Sequence, residues 1–217
     1  MTRYLRPDSN TIAVWYAPCP QATAYSQNAA SKQLTLDYYG TSHNGSAFYQ
    51  QADESWSCSL SKGNRITQDS IGNTIEVFDN RQYDNNWKAS DFFFKESEKP
   101  VHRLLKETKG IYTTLPTYPA YVNRLRHVLS PIAEYEDSLG LHYDFDRFFQ
   151  GSVRITLREA KKGERLEING LVYICSGEMD EQAFRRLSTS RQKSITIKGD
   201  RHFRKSQIKK IEGLEIY

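Results

Sequence analysis

The alternation of apolar and polar positions along the chain predicts strands at both ends and helices in the middle. Between residues 1 and 96, strand-type residues gather at Thr11–Tyr16, Leu34–Tyr39, Ala47–Tyr49 and Thr74–Phe78, separated by clusters of Ser, Asn, Gly and Gln. The period changes between 97 and 150. Ser97 caps an expected helix with Pro100 in its first turn, Val101, Leu104 and Leu105 on its apolar side, and Gly110 at its end. A second expected helix starts at Thr117 and Pro119. Tyr118, Tyr121, Val122, Leu125, Val128, Leu129, Ile132, Tyr135 and Leu139 recur along it at three- and four-residue spacing, up to Gly140. Pro131 would kink it, by removing a hydrogen bond and clashing one turn back.

Period two returns between 151 and 217. Val153, Ile155 and Leu157 alternate with Arg154, Thr156 and Arg158. The run Arg165–Ile168, Asn169-Gly170, Leu171–Cys175 then reads as a hairpin. Asn-Gly supplies the two positive φ values of a type I′ turn, whose twist matches that of the strands. Pairing across it would put Leu166, Ile168, Leu171 and Tyr173 on one face. Val172 and Ile174 are apolar on the other face, as expected of a central strand covered on both sides. The pattern as a whole predicts an α+β fold: a β-rich N-terminal region (1–96), a region of two central helices (97–150), and a small C-terminal antiparallel β subdomain (151–217).

Composition changes this picture little. Aromatic residues make up 12% of the 217 residues, too many for a chain with nothing to pack them against. No apolar run approaches the roughly 20 residues of a membrane-spanning helix, and Met1–Pro7 is not followed by a signal-like stretch. The three cysteines, Cys19, Cys58 and Cys175, are odd in number and far apart, against a disulfide framework. A cytoplasmic location is the expectation.

Charge changes it more. From Arg185 to Lys210 the chain carries Arg185, Arg186, Arg191, Lys193, Lys198, Arg201, Arg204, Lys205, Lys209 and Lys210. Ten cations face one anion, Asp200, a formal +9, so the rest of a +4 chain is −5. Such a concentration repels itself unless an anion is near. The leading expectation is therefore a nucleic-acid-binding protein, contacting DNA or RNA phosphates through these cations. His202 and Phe203 would be available to stack on bases.

Two other readings compete. Asp144 or Asp146, followed by Glu159-Ala160-Lys161, resembles the acidic–(Asp/Glu)-x-Lys pattern of restriction-endonuclease-like nucleases. That resemblance implies a catalytic set in which Asp144 or Asp146 joins Glu159 in holding Mg²⁺ while Lys161 acts on the attacking water. Parity would point Glu159 and Lys161 to the same covered side as Val153, Ile155 and Leu157. Without that chemistry, no metal or cofactor is expected. His142-x-Asp144 has no second pair of ligand spacing, and Gly110-Ile111-Tyr112 lacks the partner motif of the nucleases that begin so. The third reading is a non-enzymatic assembly or carbohydrate-binding protein. Trp15, Tyr16, Tyr38, Tyr39, Trp56, Trp87 and Phe92–Phe94 would then stack on sugars or pack against other subunits rather than only fill a core.

Overall fold

The computed structural model describes residues 6, 10–15, 36–59, 62–89, 99–100 and 124–217. The chain divides into two units, Met1–Leu60 with Asn85–Ala120, and Ser61–Asp84 with Tyr121–Tyr217. In chain order the strands are β1 (Asp37–Thr41), β2 (Ala47–Gln51), β3 (Ser57–Cys58), β4 (Asn64–Gln68), β5 (Thr74–Asp79) and β6 (Lys99–Pro100). Then come β7 (Leu125–Leu129), β8 (Ala133–Asp137), β9 (Gly140–Arg158), β10 (Arg165–Ile168) and β11 (Leu171–Ile174). The last are β12 (Asp180–Ala183), β13 (Ser190–Gly199) and β14 (Ile208–Ile216).

Within the first unit, β1 and β2 form a hairpin in which Tyr39 faces Tyr49, and β3 pairs with β6. Tyr38 packs edge-on against Phe48, and Trp15 against Trp87. Tyr39 and Tyr49 stay largely exposed. Of the aromatic candidates, Trp15, Tyr38, Trp56 and Trp87 are half-buried, while Tyr16 and Phe92–Phe94 lie outside the described residues. Thr11–Trp15 form no strand.

The second unit is built on one large sheet in the order β4-β5-β11-β10-β13-β9-β14-β7, with β8 and β12 also paired to β9. β9 is the spine. Along one edge it pairs first with β13 and then with β12; along the other, first with β8 and then with β14. Close packing fixes how the strand passes its neighbours. A Cβ on Gly151 would lie 1.9 Å from the Leu214 carbonyl oxygen, and one on Gly213 would lie 2.9 Å from the Phe149 ring. Phe78, Leu141, Tyr143, Phe145, Phe149, Ile155, Leu157, Leu166, Leu171, Tyr173, Ile195 and Ile197 are among the residues that fill the core.

The Asn169-Gly170 hairpin forms as the sequence requires. Ile168 faces Leu171 across it, Asn169 and Gly170 have φ of 26° and 78°, and Leu166, Ile168, Leu171 and Tyr173 are buried on one face. β11 is central, between β10 and the parallel β5, and its other face carries Val172 and Ile174 half-buried.

The expected α+β class is wrong. Among the described residues there is no α-helix, only 3-10 turns at Asn85–Lys88 and Lys205–Gln207. From Leu125 onward the second expected helix is instead β7, a break at Ser130-Pro131, β8 and the start of β9, and residues 117–123 lie outside the described residues. Its supposed buried stripe is solvent-facing: Leu125, Val128, Ile132, Tyr135 and Leu139 are each half or more exposed. Two five-residue strands separated by a proline reproduce the spacing of an amphipathic helix. Ladders to Gly213–Ile216 and Gly140–Asp144, distant or downstream in sequence, outweigh the local preference. Of the first expected helix, Lys99 and Pro100 are strand, and Val101–Gly110 lie outside the described residues. No helix among the described residues is long and apolar enough to cross a membrane. Cys175 is a buried free thiol.

Buried carboxylates tie the strands to the loops. Glu76, fully buried on β5, accepts hydrogen bonds from the backbone N–H groups of Arg186 and Leu187, from the Ser188 hydroxyl and from the Asn64 amide. Glu181 on β12, 2% exposed, accepts from Ser176 N–H, Gly177 N–H, the Asn80 amide and the Tyr173 hydroxyl. A buried carboxylate is tolerated only when its lone pairs are occupied in this way.

Candidate functional site

The structure separates the four residues of the nuclease pattern. Asp144 sits within β9 between Ala133 and Ser194, and Asp146 is exposed with its carboxylate 3.3 Å from Arg147. Glu159 follows the other end of β9, about 40 Å of strand contour beyond Asp146 at roughly 3.3 Å per residue. Its φ of 58° ends the strand, so the parity expected to turn Glu159 and Lys161 inward stops at Arg158. Both are exposed, and Ala160 between them is buried. Lys161 is tied through its backbone N–H to Glu164. Among the described residues no group of three His, Cys, Asp or Glu side chains is placed to hold a metal ion.

The basic segment is likewise not gathered into one surface. Arg185 and Arg186 are half-buried. The Arg185 guanidinium donates to Ser188 and Ser190, and that of Arg186 lies over the rings of Phe78, Phe184 and Tyr83. Lys205 pairs with Glu134, and Lys210 with Glu212 at 2.6 Å. Arg201, His202 and Arg204 are exposed on the β13–β14 turn, where the Arg204 guanidinium donates to the Arg201 and Phe203 carbonyls. Phe203 is half-buried over Gly199, whose Cβ would lie 2.2 Å from it. Lys209 is exposed on β14. Arg191, stacked 4.9 Å over Phe148, remains on β13 with Lys193 and Lys198, all three exposed.

β13 leads to the best-formed surface. Its inward residues Ile195 and Ile197 face the core, so Thr196 and Lys198 point to the opposite, outer side of the sheet. Thr196 pairs with His142 of β9, and His142 with Tyr135 of β8. These three form one row across three strands. His142 is 8% exposed, with one ring nitrogen 2.7 Å from Asp137 Oδ1 and the other 3.1 Å from Thr196 Oγ1. Its ring is thus held at both ends. Tyr135 lies flat upon it, with ring centroids 4.7 Å apart and planes 7° from parallel, and is half exposed. The bond from His142, joined by one from Leu139 N–H, holds the Asp137 carboxyl below its usual range.

A second row runs alongside. Lys198 faces Glu167 of β10, Glu167 faces Val172 of β11, Val172 faces Val77 of β5, and Val77 faces Arg65 of β4. Ile75, Glu167, Asn169, Val172, Thr196 and Lys198 line a shallow groove on this face. The Asn169 amide, bonded to Ser194 C=O and Thr196 N–H, fixes the hairpin tip against β13. The outer face therefore offers an aromatic plate, a strip of half-buried valine, and charged or hydroxyl side chains around both.

The sequence pattern placed Tyr135 on a buried helical stripe, whereas it lies half exposed against His142, and it carried no sign of Arg65 on this face. The alternation Leu141, Tyr143, Phe145 against His142 and Asp144 was the local signal that this stretch is a strand, with His142 on its outer side.

No known family model matches the chain, and no curated protein matches its sequence. Solved structures share its fold. An α-L-rhamnosidase from Dictyoglumus thermophilum superposes on 83% of this chain with a TM-score of 0.61 and 20% identity. An α-L-rhamnosidase from Aspergillus terreus does so on 82%, with 0.59 and 13%. The chain spans 22% of the length of each. It thus has the fold of one part of these longer chains.

Proposed function

We propose that this chain is a non-catalytic carbohydrate-binding β module whose contact surface is the outer face around Tyr135. The observation that carries the reading is the Tyr135 ring, held flat on a buried histidine with its other side turned to solvent. A sugar ring presents C–H groups on its face and hydroxyls around its rim. An aromatic plate accepts the former, and flanking polar side chains accept or donate to the latter. Asp137, Thr196 and Lys198 supply such partners. Because His142 is fixed by Asp137 and Thr196, the plate loses little freedom on binding, which favours affinity. The likeness to part of two rhamnosidases supports the same reading.

Affinity gel electrophoresis against a panel of soluble polysaccharides tests it. The wild type is expected to be retarded by at least one of them. Tyr135→Ala is expected to run free in that gel with an unchanged melting temperature, since a half-exposed ring contributes little to the core. Retardation by none of the panel, or undiminished retardation of Tyr135→Ala, overturns the proposal.

A further inference from the structure

The charges on the outer face carry the carbohydrate reading one step further. In the row from Lys198 to Arg65, the two ends are cations, and neither has an ion pair or a side-chain hydrogen bond among the described residues. Both are exposed, four strand spacings apart, or about 19 Å at roughly 4.8 Å per strand. Arg191 and Lys193 extend the cations along β13, also without an acidic partner among the described residues. The acids behave differently. Glu167 is bonded to Arg165 of its own strand at 2.5 Å, and Asp137 to His142 at 2.7 Å. Among the described residues, Asp144 and Glu136 in or beside these rows have no such bond, fewer than the four cations Lys198, Arg65, Arg191 and Lys193.

An exposed cation without an acidic partner is open to an anionic group, and two of them about 19 Å apart suit negative groups spaced along one polymer. A neutral glycan would leave both cations unanswered. A glycan with a carboxylate or sulfate at intervals would meet Lys198 and Arg65 while its sugar faces lie on Tyr135 and over Val172 and Val77. We infer that the ligand of this face is an acidic glycan, its negative groups received by Lys198 and Arg65 at the two ends of the cross-strand row.

This inference rests on the carbohydrate reading, and the experiment keeps the two apart. The whole chain is run in gels containing polygalacturonate, dextran sulfate or neutral dextran, at rising NaCl, with single-stranded DNA as a competitor. The expected result is retardation by an acidic polymer that weakens steeply with salt and exceeds that by dextran. Retardation by polygalacturonate alone assigns the carboxylate, by dextran sulfate alone the sulfate ester, and by both the shared negative charge. The double variant Lys198→Gln/Arg65→Gln is expected to lose about tenfold or more in affinity for the acidic polymer, as two charge-assisted contacts require. Its binding to a neutral glycan should fall less than its binding to the acidic polymer, because the Tyr135 plate is intact. Equal retardation by dextran and the acidic polymers, or an unaffected double variant, overturns the inference but leaves the carbohydrate reading standing if Tyr135→Ala still abolishes binding. Displacement of the polysaccharide by DNA at equal or lower concentration overturns it in favour of a nucleic-acid surface. Loss of all binding, acidic and neutral, from the wild type overturns both.

Discussion

Replacing Glu181 with glutamine removes one formal charge and hardly alters the shape of the side chain, so its effect isolates what the buried carboxylate does. Oε2 accepts from Ser176 N–H at 2.8 Å, the Asn80 amide at 2.9 Å and the Tyr173 hydroxyl at 3.1 Å; Oε1 accepts from Gly177 N–H at 2.8 Å. The best glutamine rotamer keeps its oxygen toward the three donors and turns its NH₂ group on Gly177 N–H, donor against donor. One charge-assisted bond, worth about 1.5–3 kcal/mol, is lost. The other three weaken to neutral bonds, roughly half as strong. Burying a neutral amide instead of an anion recovers a few kcal/mol, leaving a net loss of about 2–3 kcal/mol. For a protein of this length that lowers the melting temperature by about 5–10 °C in calorimetry. Tyr173→Phe removes one donor and leaves Glu181 three, so about 1 kcal/mol is expected there. If Glu181→Gln melts within about a degree of the wild type, or higher, the cost of burying the charge outweighs its bonds. The carboxylate would then not be what clasps the Ser176–Gly177 loop to β12.

The hairpin turn is tested by Gly170→Val. A β-branched residue would be forced to φ of 78° with its Cβ 3.1 Å from the Thr74 carbonyl oxygen, which should cost about 1–3 kcal/mol in urea denaturation. An unshifted midpoint would refute the strain. Alkaline stability follows from two tyrosines. Burial, then the charge of Glu134, pushes the Tyr143 phenol up to about 12, and burial followed by the Glu181 charge pushes Tyr173 up as well. In the unfolded chain both ionise near 10, so the folded state holds two protons that the unfolded state releases. The difference favours neither state below about pH 10, and stability should fall as pH rises from there through about 12. Urea midpoints between pH 9 and 12 measure this, with absorbance at 295 nm following ionisation. Ionisation of every tyrosine near 10 without loss of structure would contradict it.

Where local chemistry and tertiary pairing agreed, the sequence was readable. Asn169-Gly170 between two alternating runs specified a turn, a register and a buried face, and each is present, because positive φ and period-two burial are properties of the segment itself. The run Val153, Ile155, Leu157 was readable for the same reason. Between 117 and 140 the two disagreed. Residues at three- and four-residue spacing fit a helix, and nothing local showed that β14 and β9 leave edges for β7 and β8 to fill. Pro131, read as a kink, separates two strands.

The candidate surface depended on pairing even more. Tyr135, His142 and Thr196 span 61 residues of sequence, and Arg65 and Lys198 lie 133 apart, so only strand order brings each set into a row. By itself the sequence determined the strands at Ala47–Tyr49 and Thr74–Phe78, the β character of the C-terminal region, the tight hairpin and a C-terminal excess of positive charge, since these follow from composition and from neighbours a few residues apart. Which cations stay exposed, which acids are bonded, and whether Glu159 could ever meet Asp144 were decided by the tertiary structure. Burial, ion pairing and convergence are relations between segments, and the long strand β9, which sets those segments side by side, draws its partners from residues far away in the chain.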